Sequence, residues 1–269
     1  MEGLIATSQT PYADELAFAH ELVDIAARIT RHHVEHPVQV RHKEDATPVT
    51  DADIAVELAL REATTLRFPD DGFVGEEGGR TGGSPRTWVV DPIDGTKNFV
   101  DGIQVWATLV ALEEDGIPVL GVVDAPHLGE RYDAVRGQGA RLNHDPIEVS
   151  DVPSLAEAFV LHSGVEEWLR GPRWERFVDV VGGARRTRGL SDFWGHVLVA
   201  RGSADVLLEH EPCGVWDWAA LQVVLEEAGG RMTTLDGEPP YDGCTLLSTN
   251  GVIHDEVLAR LRTEHGAAG

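Results

Sequence analysis

Apolar residues recur at helical spacing near the start of the chain. From residue 12 to about residue 36, an apolar side chain appears every three or four positions, which places these side chains on one face of a helix. Residues 50–68 are predicted to form a second helix, with Ile54, Leu58 and Leu66 facing inward. The predicted inward face of the first helix consists of Leu16, Ala19, Leu22, Val23, Ala26 and Ile29.

The pattern changes to short β-type runs after Gly72. Runs of β-branched and other apolar residues between glycine-containing turns are typical of strands. The polar residues 43–49 and the glycine-rich residues 80–85 are predicted to form a turn and an exposed loop. The predicted strands of this part of the chain are residues 73–75, 88–91, 105–112, 117–124, 130–136 and 147–150.

Proline and serine at residues 151–158 indicate the passage between two lobes. Residues 1–150 are predicted to form an N-terminal α+β lobe, and residues 151–269 a C-terminal α/β lobe. Because strands alternate with helices, we expect an α/β or α+β layered fold. The second lobe is predicted to contain strands at 159–162, 184–187, 205–209, 231–235 and 245–248, and helices at 174–181, 192–201, 216–228 and after residue 250.

The charge of the chain excludes some classes of partner. Forty-six acidic and 22 basic residues give a formal net charge of −24. Because such a surface repels phosphate backbones and anionic lipids, we expect no nucleic-acid and no membrane partner. The chain has only two cysteines and no apolar run of the ~20 residues that cross a bilayer. These features, together with the lack of a basic and apolar leader, predict a cytoplasmic protein.

The most informative segment is residues 88–99, where a β-type run ends at Asp91 and is followed by a turn. Asp91 and Asp94 can point into one space, where both stay ionised only beside a cation. Hard carboxylate oxygens favour Mg²⁺ or Ca²⁺-type ions over soft metals, and the N–H groups of Gly95 and Thr96 suit a phosphate. The same residues also fit an ordinary surface turn.

Three further acidic motifs support a metal site, although each has a structural alternative. Glu76 and Glu77 follow a short β-type run, where a solvated turn is the alternative. Asp217 lies at the start of an apolar helix, where a helix N-cap is the alternative. Asp53 follows Thr50 at the spacing of a capping box.

Together these motifs resemble those of the inositol monophosphatase family. The resemblance runs over about residues 43–247 and includes, in family order, the segments 43–53, 75–77, 91–96 and 216–220. The string Asp-Pro-Ile-Asp-Gly-Thr is the most specific of these motifs. The resemblance implies a layered αβαβα sandwich of two lobes, metal ions between the lobes, and a homodimer.

The resemblance also implies which residues bind metal. Glu76, Asp91 and the carbonyl group of Ile93 correspond to ligands of a first Mg²⁺. Asp91, Asp94 and Asp217 correspond to ligands of a second Mg²⁺. A third Mg²⁺ per active site, or Mn²⁺ in place of Mg²⁺, is also compatible with the family.

The implied catalytic residues are Thr96, Asp53 and Glu76. Thr96 corresponds to the residue that orients the attacking water, and Asp53 supports it. The phosphate is held by the cations and by the N–H groups of Gly95 and Thr96. In chemistry of this type, one cation lowers the pKa of a bound water and the other stabilises the leaving oxygen.

The segment 185–200 indicates the substrate. It resembles the histidinol-phosphate phosphatase branch, which commonly has Gly-Asp-x-Trp before Leu-Val-Ala, although Ser191 precedes Asp192 here. Histidinol phosphate carries an amine and an imidazole, with which Asp192 would make a charge-assisted contact. A helix N-cap is the alternative role of Asp192.

We therefore expect Mg²⁺-dependent hydrolysis of a small soluble phosphate monoester, L-histidinol phosphate, to L-histidinol and phosphate. The alternatives are inositol-1-phosphate or another sugar or nucleoside monophosphate, as in a specialised biosynthetic pathway, and a relative that binds a metabolite without turnover. The segment 209–215 is about one residue longer than in close relatives, so that either of its first two glutamates is a candidate for the pocket. The further predicted substrate contacts are Asp94, Arg188, Glu209 or Glu211, and Asp217.

Overall fold

Within residues 11–34, 40–42 and 48–262, which the computed structural model describes, the chain forms eight α-helices and fifteen β-strands. No helix in these ranges combines enough length with enough apolar residues to span a bilayer. The helices are α1 (Ala13–Val34), α2 (Asp51–Arg67), α3 (Thr96–Val100), α4 (Val165–Arg170), α5 (Trp174–Gly183), α6 (Asp192–Ala200), α7 (Val215–Glu227) and α8 (His254–Leu261). The strands are β1 (Val40–His42), β2 (Pro48–Thr50), β3 (Gly72–Gly75), β4 (Gly79–Thr81), β5 (Arg86–Asp94), β6 (Ala107–Glu114), β7 (Ile117–Ala125), β8 (Glu130–Val135), β9 (Ala140–Leu142), β10 (Asp145–Ile147), β11 (Phe159–His162), β12 (Arg186–Gly189), β13 (Val206–Cys213), β14 (Arg231–Thr233) and β15 (Cys244–Thr249).

The larger sheet has eight strands and a layer of helices on each face. Its order is β10-β9-β8-β7-β6-β5-β3-β4, and all neighbouring pairs are antiparallel except β3 and β5. Successive residues of a strand point to opposite faces. Trp88 and Val90 of β5 therefore pack with α1 and α2, whereas Val89 packs with the core that contains α7.

The smaller sheet has five strands in the order β12-β11-β13-β15-β14. One face packs against α4, α5 and α8 through Trp168, Phe177 and Val257, and the other face packs against α6 and α7. The layers are therefore α1 and α2, the larger sheet, α6 and α7, the smaller sheet, and α4, α5 and α8. This order confirms the αβαβα sandwich that the motifs implied.

The buried face of α2 differs from the predicted one. Leu58 and Leu66 are 62% and 78% exposed, whereas Val56 and Leu60 are fully buried. Polar side chains share this inward face, because Asp53 and Glu57 are buried as well. The prediction from the hydrophobic pattern alone therefore assigned the wrong face of α2 to the protein interior.

Several short elements also differ from the prediction. The strand predicted at 147–150 lies at Asp145–Ile147, and the strand predicted at 184–187 lies at Arg186–Gly189. The pair β1 and β2, the strands β4 and β9, and the helix α4 were not predicted at all. These segments are short enough that pairing with a neighbour, rather than their own sequence, decides their structure. Residues 35–36 of the predicted first helix and 43–47 of the predicted turn lie outside the described residues.

Helix α7 lies in close backbone contact with the larger sheet at Gly121 of β7. A Cβ atom on Gly121 would lie 2.9 Å from the Cα atom of Ala220 and still closer to its carbonyl oxygen. Because the opposing atoms belong to the backbone, they cannot rotate away from an added methyl group. This contact therefore sets the position of α7, which carries Asp217 in its first turn.

We predict that Gly121→Ala lowers the free energy of unfolding by about 1–3 kcal/mol, because the added methyl group must push α7 away from the sheet. The measurement is urea unfolding followed by circular dichroism. The matched control is Gly182→Ala in α5, where an added Cβ meets nothing within 4 Å and alanine favours the helix. Equal stabilities for the two variants would contradict this account.

Candidate active site

A cleft of about 580 Å³ opens where the end of β5 meets α6, α7 and β13. Its lining has seven acidic side chains and one lysine, so that the cleft is strongly negative. Three other predicted residues, Ile93, Gly95 and Thr96, also line the cleft. The acidic lining residues are Glu76, Asp91, Asp94, Asp192, Glu209, Glu211 and Asp217.

Three of these carboxylates converge at the bottom of the cleft. Asp91, Asp94 and Asp217 each offer an oxygen atom, and these atoms lie within 4.8 Å of one another. The pairing of β5 with β6 shifts register between Asp91 and Asp94, and the Asp91 Oδ1 atom accepts a hydrogen bond from the Ile93 N–H at 3.0 Å. This bulge lets residues three positions apart face one space.

Asp217 reaches the same space from the first turn of α7. Its Oδ2 atom accepts a hydrogen bond from the backbone N–H of Gly214 at 2.5 Å, which fixes the side chain at the start of the helix. Asp217 thus accepts a hydrogen bond from the backbone at the helix N-terminus and is also one of the three converging carboxylates. Gly214, not Asp217, is the N-cap of α7, so the N-cap alternative is wrong; Asp217 stabilises the helix start from its third position, which is compatible with the metal-site hypothesis.

Burial and mutual repulsion make the ionised forms of these carboxylates costly. Burial, followed by the negative charges of Glu76 and Asp94, raises the pKa of Asp91 well above its ordinary value. Burial and the charges of Asp192 and Asp217 similarly raise the pKa of Asp94. A cation among the three oxygens would remove this penalty.

Asp94 also connects the larger sheet to helix α6. Its Oδ2 atom accepts a hydrogen bond from the backbone N–H of Phe193 at 2.7 Å, although the two residues are 99 positions apart. Asp94 thereby satisfies the start of α6, so the N-cap alternative for Asp192 is wrong. Asp192 itself has a φ of 54°, in the left-handed region that aspartate tolerates better than most residues.

The turn after β5 provides polar backbone and hydroxyl groups. Gly95 has a φ of 80°, and a Cβ atom there would lie 3.1 Å from the carbonyl oxygen of Val105, so that glycine suits this position. The Thr96 hydroxyl donates a hydrogen bond to the carbonyl oxygen of Ile93 at 2.9 Å. Glu76 lines the same cleft, but it lies outside the group of three converging carboxylates.

Asp53 lies behind the cleft lining rather than in it. Its Oδ2 atom accepts hydrogen bonds from the Thr50 hydroxyl at 2.6 Å and from the Thr50 N–H at 2.8 Å, as the capping-box alternative predicted. Within the described ranges, its Oδ1 atom is buried without a hydrogen-bond partner. Burial raises the pKa of Asp53 to about 6, against the opposing effect of the Thr50 hydrogen bonds.

The opposite wall of the cleft carries Asp192, Glu209 and Glu211. Glu209 is 6% exposed, and its Oε2 atom has no hydrogen-bond partner among the residues that the structure describes. Burial, followed by the charges of Asp192 and Glu167, raises the pKa of Glu209 well above its ordinary value. Glu211 is more exposed and pairs with Lys97 at 3.2 Å. Both candidate glutamates therefore face the cleft.

Strand β13 is irregular beside this wall. It pairs regularly with β15 up to Glu209 and again at Cys213, and the register shifts between these residues. Over this interval β13 advances four residues while β15 advances two, from Leu246 to Cys244. The irregularity lies in the segment 209–215, whose length was unusual in the sequence.

Two residues change the predicted picture of the substrate region. Arg188 is exposed, donates a hydrogen bond to the carbonyl oxygen of Thr187 and does not line the cleft, so the structure does not bring it to the other site residues. Lys97 lines the cleft but was not predicted as a site residue. Its position directly after the Asp-Pro-Ile-Asp-Gly-Thr string was the signal that could have identified it.

Comparison with known proteins agrees with this geometry. Residues 12–267 match the model of the inositol monophosphatase family. The chain belongs to the inositol monophosphatase family. It is 45% identical to a histidinol-phosphatase from Mycobacterium tuberculosis, with 92% of this chain and 98% of that protein covered. It is 41% identical to a histidinol-phosphatase from Streptomyces coelicolor, with 94% and 99% covered.

The fold comparison leads to the same family. The structure of an inositol monophosphatase from Zymomonas mobilis superimposes with a TM-score of 0.83 at 31% identity, over 94% of this chain and 99% of that one. Members of the family are metal-dependent, and the converging carboxylates of this chain form a group that could hold a metal ion. Their hard oxygen donors suit Mg²⁺, Mn²⁺ or Ca²⁺ rather than a soft metal.

We predict that Asp91→Asn stabilises the cation-free protein. The raised pKa means that the folded state holds this proton more tightly than the unfolded state, so the free energy of unfolding falls as the pH rises above the ordinary aspartate range. The neutral amide removes this loss, and we expect a gain of about 1–2 kcal/mol at pH 8 in EDTA. Thermal unfolding measures the change.

The same experiment with added Mg²⁺ provides the contrast. The wild-type melting temperature should rise with Mg²⁺. That of Asp91→Asn should rise much less, because the amide at position 91 carries no negative charge to bind the cation. Asp101→Asn, at an exposed aspartate after α3, serves as the control and should behave like the wild type. If Asp91→Asn gains as much from Mg²⁺ as the wild type, Asp91 is not a ligand.

Proposed function

We propose that this member of the inositol monophosphatase family is a Mg²⁺-dependent phosphatase that hydrolyses L-histidinol phosphate to L-histidinol and phosphate. The observation that best supports it is the presence of two acidic groups in one cleft. One is the buried group of Asp91, Asp94 and Asp217, and the other is the wall with Asp192 and Glu209. The similarity to two histidinol-phosphatases over more than nine-tenths of the chain supports the same substrate.

The first acidic group suits the cations that the reaction needs. We propose that Glu76, Asp91 and the Ile93 carbonyl hold one Mg²⁺, that Asp91, Asp94 and Asp217 hold a second, and that Mn²⁺ can replace Mg²⁺. A third Mg²⁺ in the same cleft is compatible with its excess of carboxylates. When bound, such cations neutralise phosphoryl oxygens and make a water molecule more acidic.

Thr96 is the residue proposed to orient the attacking water, and Asp53, behind the cleft lining, is proposed to support it. The Thr96 hydroxyl hydrogen is already donated to the Ile93 carbonyl, so the Thr96 oxygen is free to accept a hydrogen bond from water and to orient it. Asp53, with a pKa of about 6, is suited to exchanging a proton near neutral pH. The backbone N–H groups of Gly95 and Thr96 are the proposed phosphate donors.

The second acidic group is the proposed site for the positively charged leaving alcohol. Asp192 and Glu211 line the mouth of the cleft, and Glu209 lies buried with an oxygen that needs a donor. An ammonium or imidazolium group bound there would satisfy this oxygen and offset the cost of ionising Glu209. Asp94 and Asp217 lie at the junction of the two acidic groups and are proposed to contact the substrate as well.

Inositol-1-phosphate is the second candidate substrate, because the fold and family are shared with inositol monophosphatases. A neutral polyol would leave the buried Glu209 oxygen with a weaker, uncharged donor, and this difference favours histidinol phosphate. The homodimer implied by the family and the cytoplasmic location stay predictions.

We predict that phosphate release is fastest with L-histidinol phosphate. The measurement compares kcat/KM for L-histidinol phosphate, inositol-1-phosphate, fructose-1,6-bisphosphate and a phosphoadenosine nucleotide in the presence of Mg²⁺. We expect a preference of at least about tenfold for L-histidinol phosphate, because only this leaving group carries positive charge. EDTA should abolish release, and a hundredfold preference for another substrate would reject the assignment.

We predict that Glu209→Gln changes selectivity rather than the common chemistry. The value of kcat/KM for L-histidinol phosphate should fall about tenfold or more, since a charged hydrogen bond is replaced by a neutral one. Any residual activity on inositol-1-phosphate should change much less. Glu166→Gln, at an exposed glutamate of α4, is the matched control. An equal fall in kcat/KM for both substrates would show that Glu209 does not distinguish their leaving groups.

A further inference from the structure

Glu57 of α2 lies directly beneath the loop that carries Glu76. Its side chain is nearly fully buried, one helical turn after Asp53. The Glu57 Oε2 atom accepts a hydrogen bond from the backbone N–H of Glu77 at 2.7 Å, and its Oε1 atom accepts one from the N–H of Gly78 at 2.8 Å. The carboxylate thus holds the two backbone groups that immediately follow Glu76.

Two glycines allow the loop to lie on this carboxylate. An added Cβ atom on Gly75 or on Gly78 would lie 2.6 Å from the Glu57 Oε1 atom. A side chain at either position would separate the loop backbone from Glu57 or displace its carboxylate. The glycines of the Gly-Glu-Glu-Gly segment therefore serve the contact with Glu57 as well as the turn itself.

Arg61 completes this arrangement and keeps the buried charge of Glu57 paired. Its Nη2 atom lies 2.7 Å from the Glu57 Oε1 atom and donates a hydrogen bond to the carbonyl oxygen of Gly79 at 2.9 Å. Its Nη1 atom donates to the Thr81 hydroxyl at 2.9 Å, and its guanidinium lies 4.5 Å from the centre of the Phe73 ring. The contacts of Arg61 therefore link both strands of the β3–β4 hairpin to α2.

We infer that Glu57 is a positioning residue that raises the affinity for divalent cations by holding the Glu76 loop at the cleft. Glu57 does not line the cleft, whereas Glu76 does. Without the two N–H···carboxylate bonds, the loop would have to be ordered when the cation binds, and this ordering would weaken binding. The inference rests on the proposed function, because it assumes that Glu76 is a cation ligand.

The test is Glu57→Gln, which keeps the size of the side chain but replaces one acceptor oxygen with a donor that opposes a backbone N–H or Arg61. We expect the Kd for Mg²⁺, measured by isothermal titration calorimetry on the cation-free protein, to rise about tenfold. The Mg²⁺ concentration for half-maximal phosphatase activity should rise equally. At saturating Mg²⁺, kcat should return to near the wild-type value, which a general loss of structure would not allow.

Glu62→Gln is the matched control, because Glu62 is exposed on the same helix. Its Mg²⁺ affinity should equal that of the wild type. If Glu57→Gln does not fold, Gly78→Ala tests the same contact from the loop side and should also weaken Mg²⁺ binding. A wild-type Kd in the soluble variant would overturn the inference and leave the phosphatase proposal intact. Absence of Mg²⁺ binding by the wild type would instead overturn the phosphatase proposal and this inference with it.

Discussion

The repulsion among three carboxylates that share one small space is the constraint around which the fold is arranged. Asp91 and Asp94 come from one strand of the larger sheet, and Asp217 comes from the central helical layer. Isolated side chains would separate, so the surrounding backbone has to hold them. A bulge in β5, the capped start of α7 and the close contact of α7 with Gly121 provide this restraint.

Regular patterns of sequence predicted the central part of the fold. The helix α1 and the strands β5 to β8 have long amphipathic or apolar runs, and their burial decides their structure. The orientation of α2 could not be obtained in this way, because Asp53 and Glu57 occupy its buried face. The short strands β1, β2, β4 and β9 also escaped prediction, since partner strands stabilise them.

Local motifs predicted which residues meet at the cleft better than how they meet. The strand end followed by Asp-Pro-Ile-Asp-Gly-Thr predicted that Asp91 and Asp94 can face one space, because they are neighbours in sequence, whereas Asp217 was included through the family resemblance. The bond from the Phe193 N–H to Asp94 joins distant parts of the chain, and no local spacing reports it. For the same reason no local spacing reports that the Glu209 Oε2 atom is buried without a hydrogen-bond partner among the described residues.

The irregular pairing of β13 with β15 leaves one short segment of the cleft wall outside the regular strand pairing. Residues on either side of the bulge keep their strand partners, so an insertion or deletion between Glu209 and Cys213 can be absorbed locally. The cleft wall that carries Glu209 and Glu211 can therefore vary in length and charge while the carboxylates on β5 and α7 keep their positions. Insertions, deletions or substitutions in this short segment would therefore let relatives differ in substrate while they keep the same converging carboxylates.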